Sequence, residues 1–236
     1  MLDPIKPDDN RRLYQRIADQ IRSLILAGEY RPGTRLPPER ELAQQLGVSR
    51  PSVREALIAL EIQGNVEIRM GAGVYVCAPP ERADPSTVPM GESPIELMQA
   101  RYAIEGTVIE MACALATPPQ LRSLAQSIEA MRLAIFERRE PWLHDREFHV
   151  GIATITGNSV LVRLVGDMFD ERHSPISSKL RGRAENTQTW TDALHEHEAV
   201  YRMMEKRDVL EAQTAMRTHL SASQRRWVAV NHGDWP

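Results

Sequence analysis

The sequence predicts a mainly α-helical chain. An N-terminal winged helix-turn-helix, three helices and a β-hairpin, is joined to an all-α bundle. Three observations predict this. Residues 13–63 carry three helical stripes cut apart by Gly and Pro. Residues 66–76 alternate apolar and polar positions around a Gly-Ala-Gly turn. Beyond residue 94 there is no comparable strand signal, only successive amphipathic helical patterns.

Leu13, Ile17, Ile21, Leu24 and Ile25 form the first stripe, and Gly28 and Pro32-Gly33 stop it. Pro37 and Pro38 open a second, short helix through Leu46. Gly47-Val48-Ser49 makes a tight turn, with Ser49 placed to cap a third helix over residues 50–63. There Val53, Leu57 and Leu60 face inward, and Gly64 ends the helix. Val66, Ile68 and Met70 pair across Gly71-Ala72-Gly73 with Val74 and Val76 as a hairpin. Downstream, helices are expected over residues 95–116, 119–137, 142–156, 159–173, 189–207 and 209–230. Five prolines among residues 78–94 read as a connector. The expected division is 1–78 for the winged helix-turn-helix domain, 79–93 for a linker, 94–230 for the helical domain and 231–236 for a tail.

Composition narrows the class. The 236 residues are 42% hydrophobic with a net charge of −3, so the chain can build a core and is not a disordered acidic or basic tail. Two cysteines, Cys77 and Cys113, do not make a disulfide framework and suit a reducing, cytoplasmic setting. No apolar run approaches the ~18 residues of a membrane span, and the first residues lack a signal-peptide plan. The average charge conceals an asymmetry. Residues 1–78 hold 11 Lys and Arg against 10 acids, whereas residues 79–236 hold 18 against 22. Within 31–54 there are five arginines and two glutamates.

The second helix of such a pair enters the DNA major groove by its N-terminal residues. Those are Ser49, Arg50, Ser52 and Arg54. Arg50 and Arg54 stand four apart, away from Val53 and Leu57, and arginine can grip guanine or a phosphate. Arg40, on the preceding helix, could reach the flanking backbone or a base. The slim glycine tip of the hairpin could approach the minor groove. The competing reading is a three-helix core with solvated arginines.

The run Gly33-Thr-Arg-Leu-Pro-Pro-Glu-Arg-Glu-Leu-Ala43 and the run Leu46-Gly-Val-Ser-Arg-Pro-Ser-Val-Arg-Glu-Ala-Leu57 resemble the DNA-binding signature of the GntR family of bacterial regulators. Gly71-Ala-Gly-Val-Tyr-Val76 resembles its wing. The resemblance covers residues 13–76. It implies that Arg40, Arg50 and Arg54 are the main readers, that Ser49 and Ser52 contact phosphate, and that Gly71 enters the minor groove. Pro38 departs from the family's usual Ser, at a first-turn position where Pro is tolerated.

In the helical domain, polar residues occupy inward phases. Asp145 and His149 lie four apart on one stripe. His197 shares a stripe with Leu194, Tyr201 and Met204, while His195 points away. His219 follows Ala212 and Met216 on the stripe of the last helix. Three histidines and an aspartate are a donor set for Zn²⁺, Ni²⁺ or Mn²⁺; separate hydrogen-bonded core histidines are the alternative from spacing alone. Asp145-Arg-Glu-Phe-His149, Gly157-Asn-Ser-Val-Leu161, Glu196-His197 and His219-Leu220 resemble the FCD effector domain of the fatty-acid-regulator subfamily. That resemblance implies a divalent metal, with Zn foremost, held by Asp145, His149, His197 and His219 beneath a carboxylate effector.

It also implies that Arg101 faces the cavity and pairs with the effector. Arg172, in Arg172-His-Ser-Pro175, is either a second ligand-binding arginine or an ordinary helix C-terminal cation. The segments around Arg101 and Arg172 are most similar to repressors of hexuronate use, which implies a sugar-acid effector. Lactate, gluconate, a sialic acid or an amino acid are the alternatives. The expected assembly is a homodimer on an inverted-repeat operator, since one helix-turn-helix reads only a half-site. A metal-dependent enzyme is the rival class, but no separate base or nucleophile accompanies the donors. Trp190 and Trp227 are expected as core or dimer contacts rather than a ligand cage.

Overall fold

The computed structural model describes residues 12–78 and 89–229. Ten α-helices and one two-stranded sheet occur among them, mainly helical as the sequence predicts. The described residues fall into two compact units.

The first unit contains the winged helix-turn-helix. Helices α1 (Leu13–Leu26), α2 (Glu39–Leu46) and α3 (Arg50–Ile62) pack around Tyr14, Ile17, Ile21, Leu42, Val53, Leu57 and Leu60, all buried. The α2–α3 turn forms because Gly47 takes a left-handed φ of 66°, which a β-carbon disfavours. Ser49 Oγ then accepts from Ser52 N at 3.2 Å and caps α3. Strands β1 (Val66–Arg69) and β2 (Gly73–Val76) pair antiparallel, with Val66 opposite Val76 and Arg69 opposite Gly73. Residues 33–36 add a partial third strand: Leu36 N donates to Val74 O at 2.8 Å and Val76 N to Thr34 O at 2.9 Å.

Two further segments belong to this unit, residues 89–95 and 173–182. The expected linker lies outside the described residues over 79–88. Over 89–93 the chain is packed, with Met90 and Ser93 buried. Ser93 Oγ donates to the Glu55 carboxylate at 2.8 Å, Ile95 N donates to it at 3.0 Å, and Tyr14 Oη donates to Gly91 O at 2.8 Å. The sequence did not anticipate α8 (Pro175–Ala184). Its Ile176 N donates to Met90 O at 3.2 Å, and Lys179 Nζ lies 3.4 Å from Glu61 on α3.

The second unit comprises α4 (Pro94–Leu115) from Glu96 on, α5 (Pro118–Phe136), α6 (Trp142–Ile155), α7 (Ser159–Asp170), α9 (Thr187–Glu205) and α10 (Val209–Ala229) up to Trp227. The helix expected over 159–173 ends at Asp170, and Glu171–His173 is one 3₁₀ turn. Caps set the boundaries. Asn158 Oδ1 accepts from Val160 N and Leu161 N to start α7, and Asn186 does the same for α9 through Gln188 N and Thr189 N. The core is Met98, Ile109, Met131, Phe148, Ile152, Val165, Phe169, Val200, Met204 and Met216. Into this core α4, α6, α9 and α10 deliver buried polar side chains. The expected tail, 231–236, lies outside the described residues.

Candidate functional site

The helix-turn-helix separates its expected readers. Arg40, Ser49, Arg50 and Gly71 are exposed, and Ser52 is half-buried with its hydroxyl 2.8 Å from that of Ser49. Arg54 corrects the sequence reading. It is only 5% exposed, its Nε donating to Glu39 Oε1 at 3.1 Å and its terminal nitrogen to Glu39 Oε2 at 2.7 Å. A bidentate fork onto the first residue of α2 draws it inward, so Arg54 ties α3 to α2 rather than standing on an open face. At the wing, Gly71 adopts a left-handed φ of 72° in the turn between the strands.

The four expected donors of the helical domain meet. Asp145 and His149 come from successive turns of α6, His197 from α9 and His219 from α10, all buried, with donor atoms within 4.8 Å of one another. His197 Nε2 lies 3.1 Å from His149 Nε2, 3.3 Å from His219 Nε2 and 3.3 Å from Asp145 Oδ1. His195, two residues away, is exposed.

Proton accounting shows what this cluster lacks. His149 Nδ1 faces Glu105 on α4, and His219 Nδ1 faces Glu196 at 2.8 Å. Burial raises the Glu105 and Glu196 carboxyls, but Arg101 and His149 beside Glu105, and Arg226 and His219 beside Glu196, outweigh it and hold both at about 2. Both are therefore carboxylates at neutral pH and can only accept. In the neutral form of each partner histidine the proton sits on Nδ1, facing the carboxylate, and Nε2 is a lone pair. Burial, the neighbouring histidines and nearby arginines push His197 well below its ordinary value, so it is neutral and offers at most one N–H. Burial also lowers His219. In that form two imidazole lone pairs and the Asp145 oxygen converge around His197.

The surplus is of acceptors in a buried place, which a cation satisfies. The spacing fits as well. Metal–nitrogen bonds of ~2.0–2.1 Å at tetrahedral or octahedral angles separate donors by ~2.8–3.4 Å, which the three His197 distances match. The buried Asp145, His149, His197 and His219 could hold a divalent metal, with Glu105 and Glu196 orienting two of the histidines.

A pocket opens beside the cluster, lined by Arg101, Asp145, Arg172, Trp190, His219 and Trp227 among others. Arg101 is buried. Its Nε donates to Glu105 Oε1 at 2.6 Å, and its guanidinium lies 4.0 Å over the Phe169 ring. Its Nη2 has no hydrogen-bond partner among the described residues. Arg172 donates to Asp145 Oδ2 at 3.2 Å and to Glu185 Oε1 at 2.6 Å. Arg172 thus lines the pocket with its guanidinium held by two carboxylates. Trp190 and Trp227 pack against the hydrophobic core, as expected, and also line this pocket.

Residues 13–76 match the gntR family of bacterial regulatory proteins, and residues 96–222 match the FCD domain. The chain belongs to the GntR family. It is 35% identical over 231 residues to the Uxu operon transcriptional regulator of Escherichia coli K12, covering 95% of this chain and 90% of that one. It is also 35% identical over 217 residues to the Exu regulon transcriptional regulator of the same strain, covering 89% and 82%. The structure called Streptococcus agalactiae GntR matches with a TM-score of 0.50 and 26% identity, covering 90% of this chain and 99% of that chain. This GntR/FCD chain is a transcriptional regulator, and these relatives are regulators rather than enzymes. Among its described residues no helix is long and apolar enough to cross a membrane.

Four participants were not assigned from sequence: Glu105, Glu185, Glu196 and Arg226, whose fork holds Glu196 at 2.7 and 2.9 Å. Glu105 was within reach, one turn beyond Arg101 on the same helix face. Glu196 stood beside His197, but nothing in its own phase links it to His219.

Proposed function

We propose that this regulator is a homodimeric repressor that binds an inverted-repeat operator and responds to a hexuronate bound beside a metal, Zn²⁺ before Ni²⁺ or Mn²⁺. The observation that carries the effector reading is Arg101 Nη2, a buried cationic donor with no acceptor among the described residues, in the pocket that also contains Asp145 and His219. A buried unsatisfied donor costs stability, and an incoming carboxylate removes that cost. When bound, the cation supplies an anchor for hydroxyl and carboxylate oxygens. Arg172 keeps Asp145 oriented and adds positive charge, while Trp190 and Trp227 offer flat apolar faces to a sugar ring. The relatives named for the Uxu operon and the Exu regulon support a hexuronate.

On the DNA side, Arg50 and Arg40 are the readers, Ser49 and Ser52 bind phosphate, and Gly71 lets the wing tip approach the minor groove. Arg54 acts by holding α2 against α3. Chain continuity supports a route between effector and DNA. Residues 173–182 group with the helix-turn-helix unit, while Arg172 and Glu185, on either side of α8, line the pocket. A ligand that draws on Arg172 and Glu185 therefore pulls at both ends of α8.

The test is fluorescence anisotropy of a labelled duplex, selected from a random library by the protein, titrated with glucuronate or galacturonate. The expected result is a ~5–150-fold change in operator affinity in zinc-loaded protein, lost in Arg101→Ala. Unchanged affinity with either sugar acid, alongside a response to lactate or gluconate, would replace the hexuronate with that acid.

A further inference from the structure

Arginine is concentrated around the wing, and the arginines there are not equivalent. Arg69 on β1 is committed: its guanidinium donates to Glu67 at 2.7 Å and lies 4.3 Å over the Tyr75 ring. Arg35 is different. It sits on the partial third strand, where its backbone bridges to Tyr75, and its side chain is exposed and makes no ion pair among the described residues. That side chain lies across Gly73, the first residue of β2. A β-carbon at Gly73 would collide with Arg35 Nε and would stand 3.0 Å from Cζ and 3.2 Å from Cδ. Gly73 also holds a φ of 115°, a conformation that disfavours any side chain. The second glycine of the wing turn therefore does two things at once. It closes the hairpin, and its missing side chain leaves the space that the Arg35 side chain occupies.

We infer that Arg35 is a DNA-backbone contact of the wing, positioned by Gly73 and additional to the helix-turn-helix readers. The inference rests on the DNA-binding reading above. An exposed arginine held over backbone keeps its fork donors for an outside acceptor and gives up less side-chain freedom on binding than a free one. Its neighbours favour phosphate as that acceptor. The Arg35 backbone lies beside the wing's strands, opposite Tyr75, and the slim Gly71-Ala72 turn is left for the groove itself. Phosphate contacts fix orientation and carry no sequence preference.

The experiment measures binding of the full chain to the selected, labelled duplex and to a scrambled duplex across a salt series. Arg35→Ala should weaken both by a similar factor, about tenfold at moderate salt, and lower the slope of log affinity against log salt by about one. Arg35→Lys should restore the slope. Gly73→Ala, checked for an unchanged circular-dichroism spectrum, should lower the slope similarly, and combining it with Arg35→Ala should add little, because both remove one contact. Arg35→Ala with parent affinity and slope overturns the inference, as does a loss confined to the selected duplex, which would make Arg35 a base reader. Arg50→Ala separates the two failures. If Arg50→Ala abolishes selective binding and Arg35→Ala changes nothing, only the wing contact is wrong. If neither matters, the DNA-binding reading itself falls.

Discussion

The molecule buries charge in two places, and the two places do different things with it. In the helix-turn-helix, Arg54 and Glu39 meet fork to fork, each with a side chain 6% exposed. Donors and acceptors there match in number and geometry. In the helical unit, Asp145, His149, His197 and His219 bring their possible ligand atoms together, and Arg101, in the adjoining pocket, has a nitrogen unpartnered among the described residues. A balanced buried pair is a joint of the fold. An unbalanced cluster is one that a bound ion would complete: under the proposed function, a cation at the histidines and an anion at Arg101.

Mutations can break this contrast at either end. The largest effect is expected at the joint. Arg54→Ala leaves Glu39 buried without its partner and should cost about 3–5 kcal/mol, read from denaturant unfolding. Replacing both partners by apolar residues of similar volume should recover most of that loss. A small effect of Arg54→Ala alone would mean that the pair is solvated and free to serve DNA. Arg50 supplies the mirror experiment. Arg50→Ala should leave the unfolding curve within ~0.5 kcal/mol of the parent, yet cost ~5–150-fold in operator affinity per half-site.

In the cluster, changes to the orienting groups should matter less than loss of a donor. Glu105→Gln and Glu196→Gln keep the shape but remove the charge that fixes the imidazole proton on Nδ1. Each should weaken zinc binding by about 10–100-fold in a competition titration with a chelating dye. Equal affinities in parent and variants would sever the orienting carboxylates from the metal. The smallest effect is expected at the pocket wall. Trp190→Leu should weaken sugar-acid binding by roughly three- to tenfold, in line with an aromatic contact of ~0.5–1.5 kcal/mol, while leaving metal content unchanged.

Much of this was legible in the sequence, for identifiable reasons. Helical phase chose His197 over His195, because a shift of two residues turns a side chain well away from the core. The same phase put Asp145 and His149 together on α6. Phase misled at Arg54, since its burial depends on a carboxylate fifteen residues earlier and not on its own helix. It also failed for α8, whose apolar face is only Ile176, Leu180 and Ala184 within a run of Ser, Lys, Arg and Gly. Three residues spaced by four give too little pattern to announce a helix. Trp190 and Trp227 were read correctly as inward, but an inward phase does not distinguish a filled space from a pocket.

The central claim is that the acceptor surplus around His197 marks a metal centre. Isothermal titration of zinc chloride into chelator-dialysed protein tests it most directly. One zinc per chain in the parent, and none at this site in His197→Ala of unchanged circular-dichroism spectrum, is the predicted result. Equal stoichiometry and affinity in parent and variant would contradict it.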